Sequence, residues 1–268
     1  MSNLVLSIFP GGGLLDRAFE LEGFCVVRGP DVIWGGDIRT FHPPAGRFDG
    51  IIGGDPCQSH SSLANLVRAQ GLEPSFPDMT PDYQRVVEEA RPAWFLRENT
   101  PQAPNIKPDG YDVRSFLLDH SHLDAGDGTG PEQMRRRRFW FGTRDRPCPE
   151  LRAYIDFALF VLPDRVGVDC GHGAIPGQRD RLRTQVVTAN ARSVAVALGG
   201  SGKAKATAVG GHLRLSLEEL LRLQGFQADY FGDHGAFRMD AMRKMVGNGV
   251  PLGMGRALAK AIRKAINP

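Results

Sequence analysis

The chain has 268 residues, a formal charge of +3 and an apolar content of 41%, enough for one large core with a smaller lobe and too apolar for a disordered chain. Cys25, Cys57, Cys148 and Cys170 stand far apart with no Cys-x-x-Cys pair, which argues against a disulfide framework or a zinc cage and fits a reducing compartment. No apolar run approaches membrane-spanning length and Leu4 follows no basic leader, so a cytoplasmic protein that does not enter a membrane is expected.

Leu4 to Phe9 is a short apolar run ending in Pro10-Gly11-Gly12-Gly13, after which Leu14, Leu15, Ala18, Phe19 and Glu22 recur at helical spacing. This predicts strand, glycine turn, helix. Phe48 to Gly53 predicts a second buried strand, Pro81 to Ala90 a helix, and Ala93 to Leu96 a strand ending at Arg97-Glu98-Asn99. The alternation implies an α/β fold with a largely parallel sheet. Arg138 to Thr143 adds a strand of aromatic character. From about Asp145 to Gly211 the pattern weakens into a separate lobe with alternating arginines at Arg179, Arg181 and Arg183. Ser216 is a good N-cap with Glu219 as its capping-box partner, and in a closing helix Met254, Leu258 and Ile262 share one face with Lys260, Arg263 and Lys264 opposite. The expected division is 1–144 for catalysis and cofactor binding, 145–211 for target recognition, and 212–268 returning to the catalytic domain.

The segment Ile51-Ile52-Gly53-Gly54-Asp55-Pro56-Cys57-Gln58 puts a thiol at the end of a buried strand, where ligands meet an α/β sheet. Taken singly, a cysteine is more often a small buried hydrophobe, Glu98-Asn99 a solvated loop and a glycine run an ordinary tight turn. The order of the pieces changes this reading. Phe9-Pro10-Gly11-Gly12-Gly13, Gly36-Asp37-Ile38, Pro56-Cys57-Gln58, Glu98-Asn99-Thr100, Gln133-Met134-Arg135-Arg136-Arg137, Arg222-Leu223-Gln224-Gly225-Phe226 and Gly247-Asn248-Gly249-Val250-Pro251 resemble, in sequence, the motifs of the DNA cytosine-5 methyltransferases, of small bacterial or phage type. The resemblance spans nearly the whole chain outside 145–211.

That resemblance implies a Rossmann-like fold dependent on S-adenosylmethionine, with a mixed, mostly parallel sheet and a small target-recognition lobe. It implies that Cys57 adds to carbon 6 of a flipped cytosine, Glu98 supports ring nitrogen 3, Arg137 contacts the ring carbonyl oxygen, and Arg135 belongs to the same cluster. Phe9, Gly11, Gly13, Leu14, Asp37, Ile38, Pro56, Met79, Asn248 and Val250 match cofactor positions, with Asp37 as acceptor for the adenine amino group and Ile38 on its ring. Gln58, Ser59 and Ser61 would close behind the flipped base, and Arg179, Arg181, Arg183 and 184–190 would meet phosphates or base edges. A monomer acting on double-stranded DNA is expected, with no metal; a restriction partner is not specified.

Two departures stand out. The acidic residue that follows the second strand in this family is compressed into Val26-Val27-Arg28-Gly29-Pro30-Asp31, where Asp31 is the substitute, and the first motif reads Phe-Pro-Gly-Gly-Gly-Leu. His60, His120, His122 and His172 read as polar loop residues, Trp34 as a residue of the core or of the adenine pocket, and Arg136 and Arg138 as exposed or salt-bridged. The alternatives are a transfer-RNA cytosine-5 methyltransferase with the same motifs and a catalytically silent DNA-binding relative.

Overall fold

The computed structural model describes residues 3–60, 71, 77–128, 130–131, 133–159, 166–169, 184–188, 194–197, 216–232 and 237–266; for 58, 134, 240 and the three segments between 166 and 197 this covers the backbone alone. Ser61, Arg179, Arg181 and Arg183, and the 189–190 end of the proposed recognition stretch, lie outside the described residues.

The chain divides into two compact units. The first comprises Met1–Leu118, Arg136–Ile155 and Gly255–Pro268. It contains β1 (Leu4–Ile8), α1 (Leu14–Leu21), β2 (Cys25–Arg28), β3 (Gly50–Gly53), α2 (Thr80–Ala90), β4 (Trp94–Asn99), nearly all of β5 (Tyr111–Asp119), and a strand over Arg136–Arg144. The second comprises Asp119–Arg135 and Asp156–Met254, with β6 (Gln133–Met134), three strands that follow, and two helices. The Arg136–Arg144 strand is β7, and β8 (Val166–Asp169), β9 (Thr184–Thr188) and β10 (Val194–Ala197) lie in the second unit with α3 (Leu217–Leu223) and α4 (Met239–Asn248). The last helix, α5, runs over Leu252–Ile266.

In the first unit six strands form one mixed sheet in the order β2-β1-β3-β4-β7-β5. β1 pairs in parallel with β2 and β3, β3 in parallel with β4, and β4 antiparallel with β7. β1, β3 and β4 are nearly continuous apolar runs, as a strand covered on both faces requires, and their Leu6, Ile8, Ile51 and Phe95 join Tyr83, Val86 and Val87 of α2 in one core cluster. The chain moves from β1 outward to β2 and then back to the other side of β1 for β3. That reversal opens a crevice at the carboxyl ends of the strands, where ligands of open α/β sheets bind. β5 has no counterpart among the expected elements: it lies at the sheet's edge, and in its sequence Tyr-Asp-Val-Arg-Ser-Phe-Leu-Leu-Asp only Tyr111 and Leu118 are buried.

In α5, Leu258, Ala259 and Ile262 are buried, while Arg256 and Arg263 reach Glu22 at the end of α1 through a 2.6 Å ion pair and a 2.5 Å hydrogen bond to its carbonyl oxygen. The second unit carries a four-stranded sheet in the order β10-β9-β8-β6. Its α3 begins with the expected capping box: the Ser216 hydroxyl accepts from the Glu219 N–H at 3.1 Å, and Glu219 accepts from the Ser216 N–H at 2.6 Å. No helix among the described residues is long and apolar enough to cross a membrane.

Candidate functional site

Two glycines end β3. At Gly53, φ is 154° and a β-carbon would press on the carbonyl of Ile8. At Gly54 it would lie 2.6 Å from the Glu98 carbonyl oxygen and 2.9 Å from Glu98 Oε2. Their lack of side chains lets the carboxyl ends of β1, β3 and β4 close on one another and seats the Glu98 carboxylate against the loop that leads to Cys57. Gly54→Ala should therefore lower any activity of this site by about tenfold or more, since a small misplacement of reacting groups is costly, while circular dichroism still reports a folded chain.

Glu98 Oε1 lies 3.0 Å from Arg137 Nε, with only 13% and 4% of the two side chains exposed. Alternation along the strand sorts the arginine run: Arg135 and Arg137 are buried, Arg136 is exposed, and Arg138 is half-buried over the Trp140 ring at 5.0 Å with a hydrogen bond to Ser115. A sheltered carboxylate–guanidinium pair of this kind can orient one polar ring and hold charge that develops on it.

The Cys57 turn is built on a buried ionic network. Cys57–His60 forms a short 3₁₀ turn, and Cys57 is partly exposed. Two residues before the cysteine, Asp55 accepts from Arg97 Nε at 2.5 Å and from the second guanidinium nitrogen at 2.8 Å, and both side chains are wholly buried. The Asp55 carbonyl accepts from Asn99 Nδ2 at 3.0 Å. Burial alone would raise the Asp55 carboxyl, but the hydrogen bonds and charge of Arg97, with His60 Nε2 nearby at 3.7 Å, outweigh it and hold the group at about 2. Arg97 lies over the Trp140 ring at 4.7 Å. Asp55, His60 and Asp78 offer ligand atoms within 4.8 Å of one another, but Arg97 already balances the Asp55 charge.

A second group of residues surrounds the glycine turn after β1. Phe9, Gly11 and Gly13 all have positive φ, at 54°, 54° and 74°, and a β-carbon at Gly11 would meet nothing within 4 Å. Asp31 braces the turn: its two carboxylate oxygens accept from the N–H groups of Gly11 and Ile33, both at 2.9 Å. The half-exposed Trp34 indole donates to the Gly11 carbonyl at 3.1 Å. Asp37 is held by Arg39 at 2.6–3.0 Å, and hydrogen bonds from the Arg39 side chain and N–H lower its carboxyl to about 2. Arg85 of α2 fixes the loop beyond it by donating to the carbonyls of Ile38 at 2.6 Å and Phe41 at 3.0 Å. Open space beside a glycine backbone, an exposed indole and a carboxylate suit a nucleoside-bearing ligand.

Residues 34–159 match the family model of the C-5 cytosine-specific DNA methylases. Over 98% of its length the chain is 27% identical to the Type II methyltransferase M.FnuDI of Fusobacterium nucleatum, covering 94% of that protein. Residues 34–159 thus carry a C-5 cytosine-specific DNA methylase domain. It is also 33% identical to the Type II methyltransferase M.NgoPII of Neisseria gonorrhoeae over 52% of its own length, spanning about half (48%) of that relative. Among solved structures it superposes on the S. pombe Dnmt2 methyltransferase with a TM-score of 0.60, 99% of each chain and 11% identity. The fold is a mixed α/β, Rossmann-like architecture shared with that solved structure.

The family's motif residues are distributed over both units. Cys57, Pro56, Glu98, Arg137, Phe9, Gly11, Gly13, Asp37 and Met79 belong to the first, Asp37 as the N-cap of the 3₁₀ turn Ile38–Thr40 and the others at or just beyond strand ends or at the start of α2. Leu14 and Ile38 turn their side chains into the core, at 2% and 4% exposure, which leaves their backbone as the part that can face a ligand. Ser59 is fully buried, with its hydroxyl 3.5 Å from the Pro56 carbonyl. In the second unit Arg135 donates to the Gly247 carbonyl at 3.0 Å and Gln224 to the Val246 carbonyl at 2.7 Å. The arginine and glutamine motifs thus meet the end of α4, beside exposed Asn248 and buried Val250.

Two histidines depart from the expectation of polar loop residues. His60 is 8% exposed and contacts Thr80. His120 is 4% exposed, 2.9 Å from Gln133 Oε1, and pushed down by burial to about 4. His122 is exposed, and His172 lies outside the described residues. Gly53, Gly54, Asp55, Arg97 and Thr80 were not among the expected site residues. The available signal was a charge on each of two apolar strands' exits: Asp55 before Pro56-Cys57, and Arg97 before Glu98.

Proposed function

We propose that the chain transfers the methyl group of S-adenosylmethionine to carbon 5 of a cytosine in double-stranded DNA. The reading rests on one observation: the loop leading to Cys57 meets the Glu98–Arg137 pair at the carboxyl ends of β3 and β4, within the stretch that matches this family's model. Carbon 5 of cytosine is a poor nucleophile, and a thiolate adding at carbon 6 makes it an enamine-like one. Cys57 is that nucleophile. Glu98 supports nitrogen 3 as electrons move into the ring, and Arg137 binds the ring carbonyl while orienting Glu98. Once carbon 5 carries the methyl group, loss of its proton and cleavage of the Cys57–carbon 6 bond restore the aromatic ring. Because the reacting carbons are enclosed in a duplex, the base must be extruded first, at a cost of a few kcal/mol.

S-adenosylmethionine supplies the electrophilic methyl group when bound. Phe9, Gly11, Gly13 and Leu14 would offer backbone to its methionine part, with Asp37, Ile38, Pro56 and Met79 around its adenosine; Asn248 and Val250 are further cofactor positions by sequence resemblance. Asp37→Ala should weaken S-adenosylmethionine binding by about tenfold to a hundredfold, the value of a hydrogen bond to a charged group, as read by calorimetric titration. A change confined to DNA affinity would place the adenine elsewhere.

Gln58, Ser59 and Ser61 are proposed to close around the extruded base, and Arg179, Arg181 and Arg183 to contact the duplex from the 145–211 region. The direct test supplies tritiated S-adenosylmethionine with duplex DNA and with transfer RNA in parallel. Label in DNA is expected, and label in transfer RNA alone would refute the reading.

A further inference from the structure

The Cys57 turn is tied at both ends to one hydroxyl group. Thr80 Oγ1, at the first turn of α2 and 8% exposed, donates to Asp55 Oδ2 at 3.1 Å and accepts from Arg97 at 2.9 Å. His60 Nε2 lies 3.1 Å from the same oxygen and 3.3 Å from Asp78 Oδ1. Asp78 in turn accepts from the Thr80 N–H at 2.9 Å. A hydroxyl has one proton and two lone pairs. With its proton on Asp55 and one lone pair facing Arg97, the remaining lone pair must accept from His60, which fixes the proton on Nε2. Asp55 stands two residues before Cys57 and His60 three after it, so a single side chain from a different element joins the two ends of the segment that carries the thiol.

The geometry points to Thr80 as a positioning residue that sets the place of the Cys57 thiol by clamping Asp55 and His60 together. The inference rests on the reading of Cys57 as the nucleophile, but its effect on the thiol can be measured apart from methylation. Thr80→Val keeps the shape and loses the hydroxyl; Thr80→Ser keeps the hydroxyl.

The full chain and both variants are compared by two readouts. One is the rate at which iodoacetamide alkylates Cys57, resolved from Cys25, Cys148 and Cys170 by peptide mass spectrometry. The other is single-turnover methyl transfer to duplex DNA at saturating S-adenosylmethionine. In Thr80→Val the turn loosens, so alkylation should rise about threefold or more while methyl transfer falls about tenfold or more, with the KM for S-adenosylmethionine unchanged. Thr80→Ser should restore both rates.

Should Thr80→Val fail to fold, His60→Leu cuts the clamp at its other end, and His60→Gln, which still donates, is the rescue. Unchanged alkylation and transfer in Thr80→Val, or in His60→Leu, would overturn the proposal while leaving the nucleophile assignment standing. Altered alkylation in a protein whose wild type methylates nothing would uphold the clamp and contradict the function.

Discussion

Cys57→Ala should abolish methyl transfer, by about 10⁴-fold or more, the scale on which removal of a covalent nucleophile is felt. No other cysteine offers a substitute among the described residues: Cys25 is exposed on β2, and Cys148 is buried beside the Phe141 carbonyl with its thiol raised by burial. Of the proposed cofactor residues only Pro56 adjoins Cys57, and the substitution leaves it in place, so the dissociation constant for S-adenosylmethionine should change less than about threefold. Filter-binding assays of transferred tritium together with calorimetric titration check both halves. Turnover that persists in Cys57→Ala would remove the adduct from the mechanism.

The second large effect is on stability. Asp55→Ala leaves the Arg97 guanidinium wholly buried without its carboxylate, which should cost about 3–5 kcal/mol, seen as a lower urea midpoint. Pairing Asp55→Ala with Arg97→Met removes the stranded charge and should recover most of that stability. Activity should not return, because the Cys57 turn would still lack its anchor.

The pair also predicts a pH dependence. The Asp55 carboxyl lies at about 2 in the folded protein against an ordinary 3.8, so its contribution is fully present above about pH 4 and is lost as the pH falls through about 2. The stability difference between wild type and Asp55→Ala should therefore be constant from pH 7 to 5 and shrink only in strong acid. A difference that vanished by pH 5 would contradict the buried pair.

Where a sequence signal was local, the structure follows it. The apolar runs of β1, β3 and β4, the capping box at Ser216 and the buried face of α5 each depend on neighbours a few residues apart. β5 escaped because an edge strand is under no demand to be apolar throughout. In the arginine run, register from Gln133 singled out Arg135 and Arg137, and those two are buried while Arg136 is exposed. The resemblance put Glu98 and Arg137 at one ring but did not pair Arg135 with the Gly247 carbonyl, which is distant in sequence, and the two arginines serve different units.

The same holds for Asp55 and Arg97, which are 42 residues apart. Asp55 alone looks like a turn residue before proline and Arg97 like a strand emerging into solvent; only the parallel pairing of β3 with β4, which sets Gly53 opposite Arg97, shows that they meet. Asp31 is intermediate. Its position after β2 was legible, but its role as a brace on the Gly11 and Ile33 amides depends on the fold of the glycine turn.

The central claim, a covalent bond between Cys57 and carbon 6 of cytosine, is tested most directly with duplex DNA of mixed sequence in which 5-fluorocytosine replaces cytosine. Fluorine stands where a proton must leave, so once carbon 5 has received the methyl group the adduct cannot eliminate Cys57 and stays covalent. Incubation with S-adenosylmethionine should give a denaturation-resistant protein–DNA complex whose cross-linked peptide, by mass spectrometry, carries the nucleotide on Cys57, and Cys57→Ala should give none. Methylation of ordinary DNA by a protein that forms no such complex, or a cross-link at another residue, would contradict it.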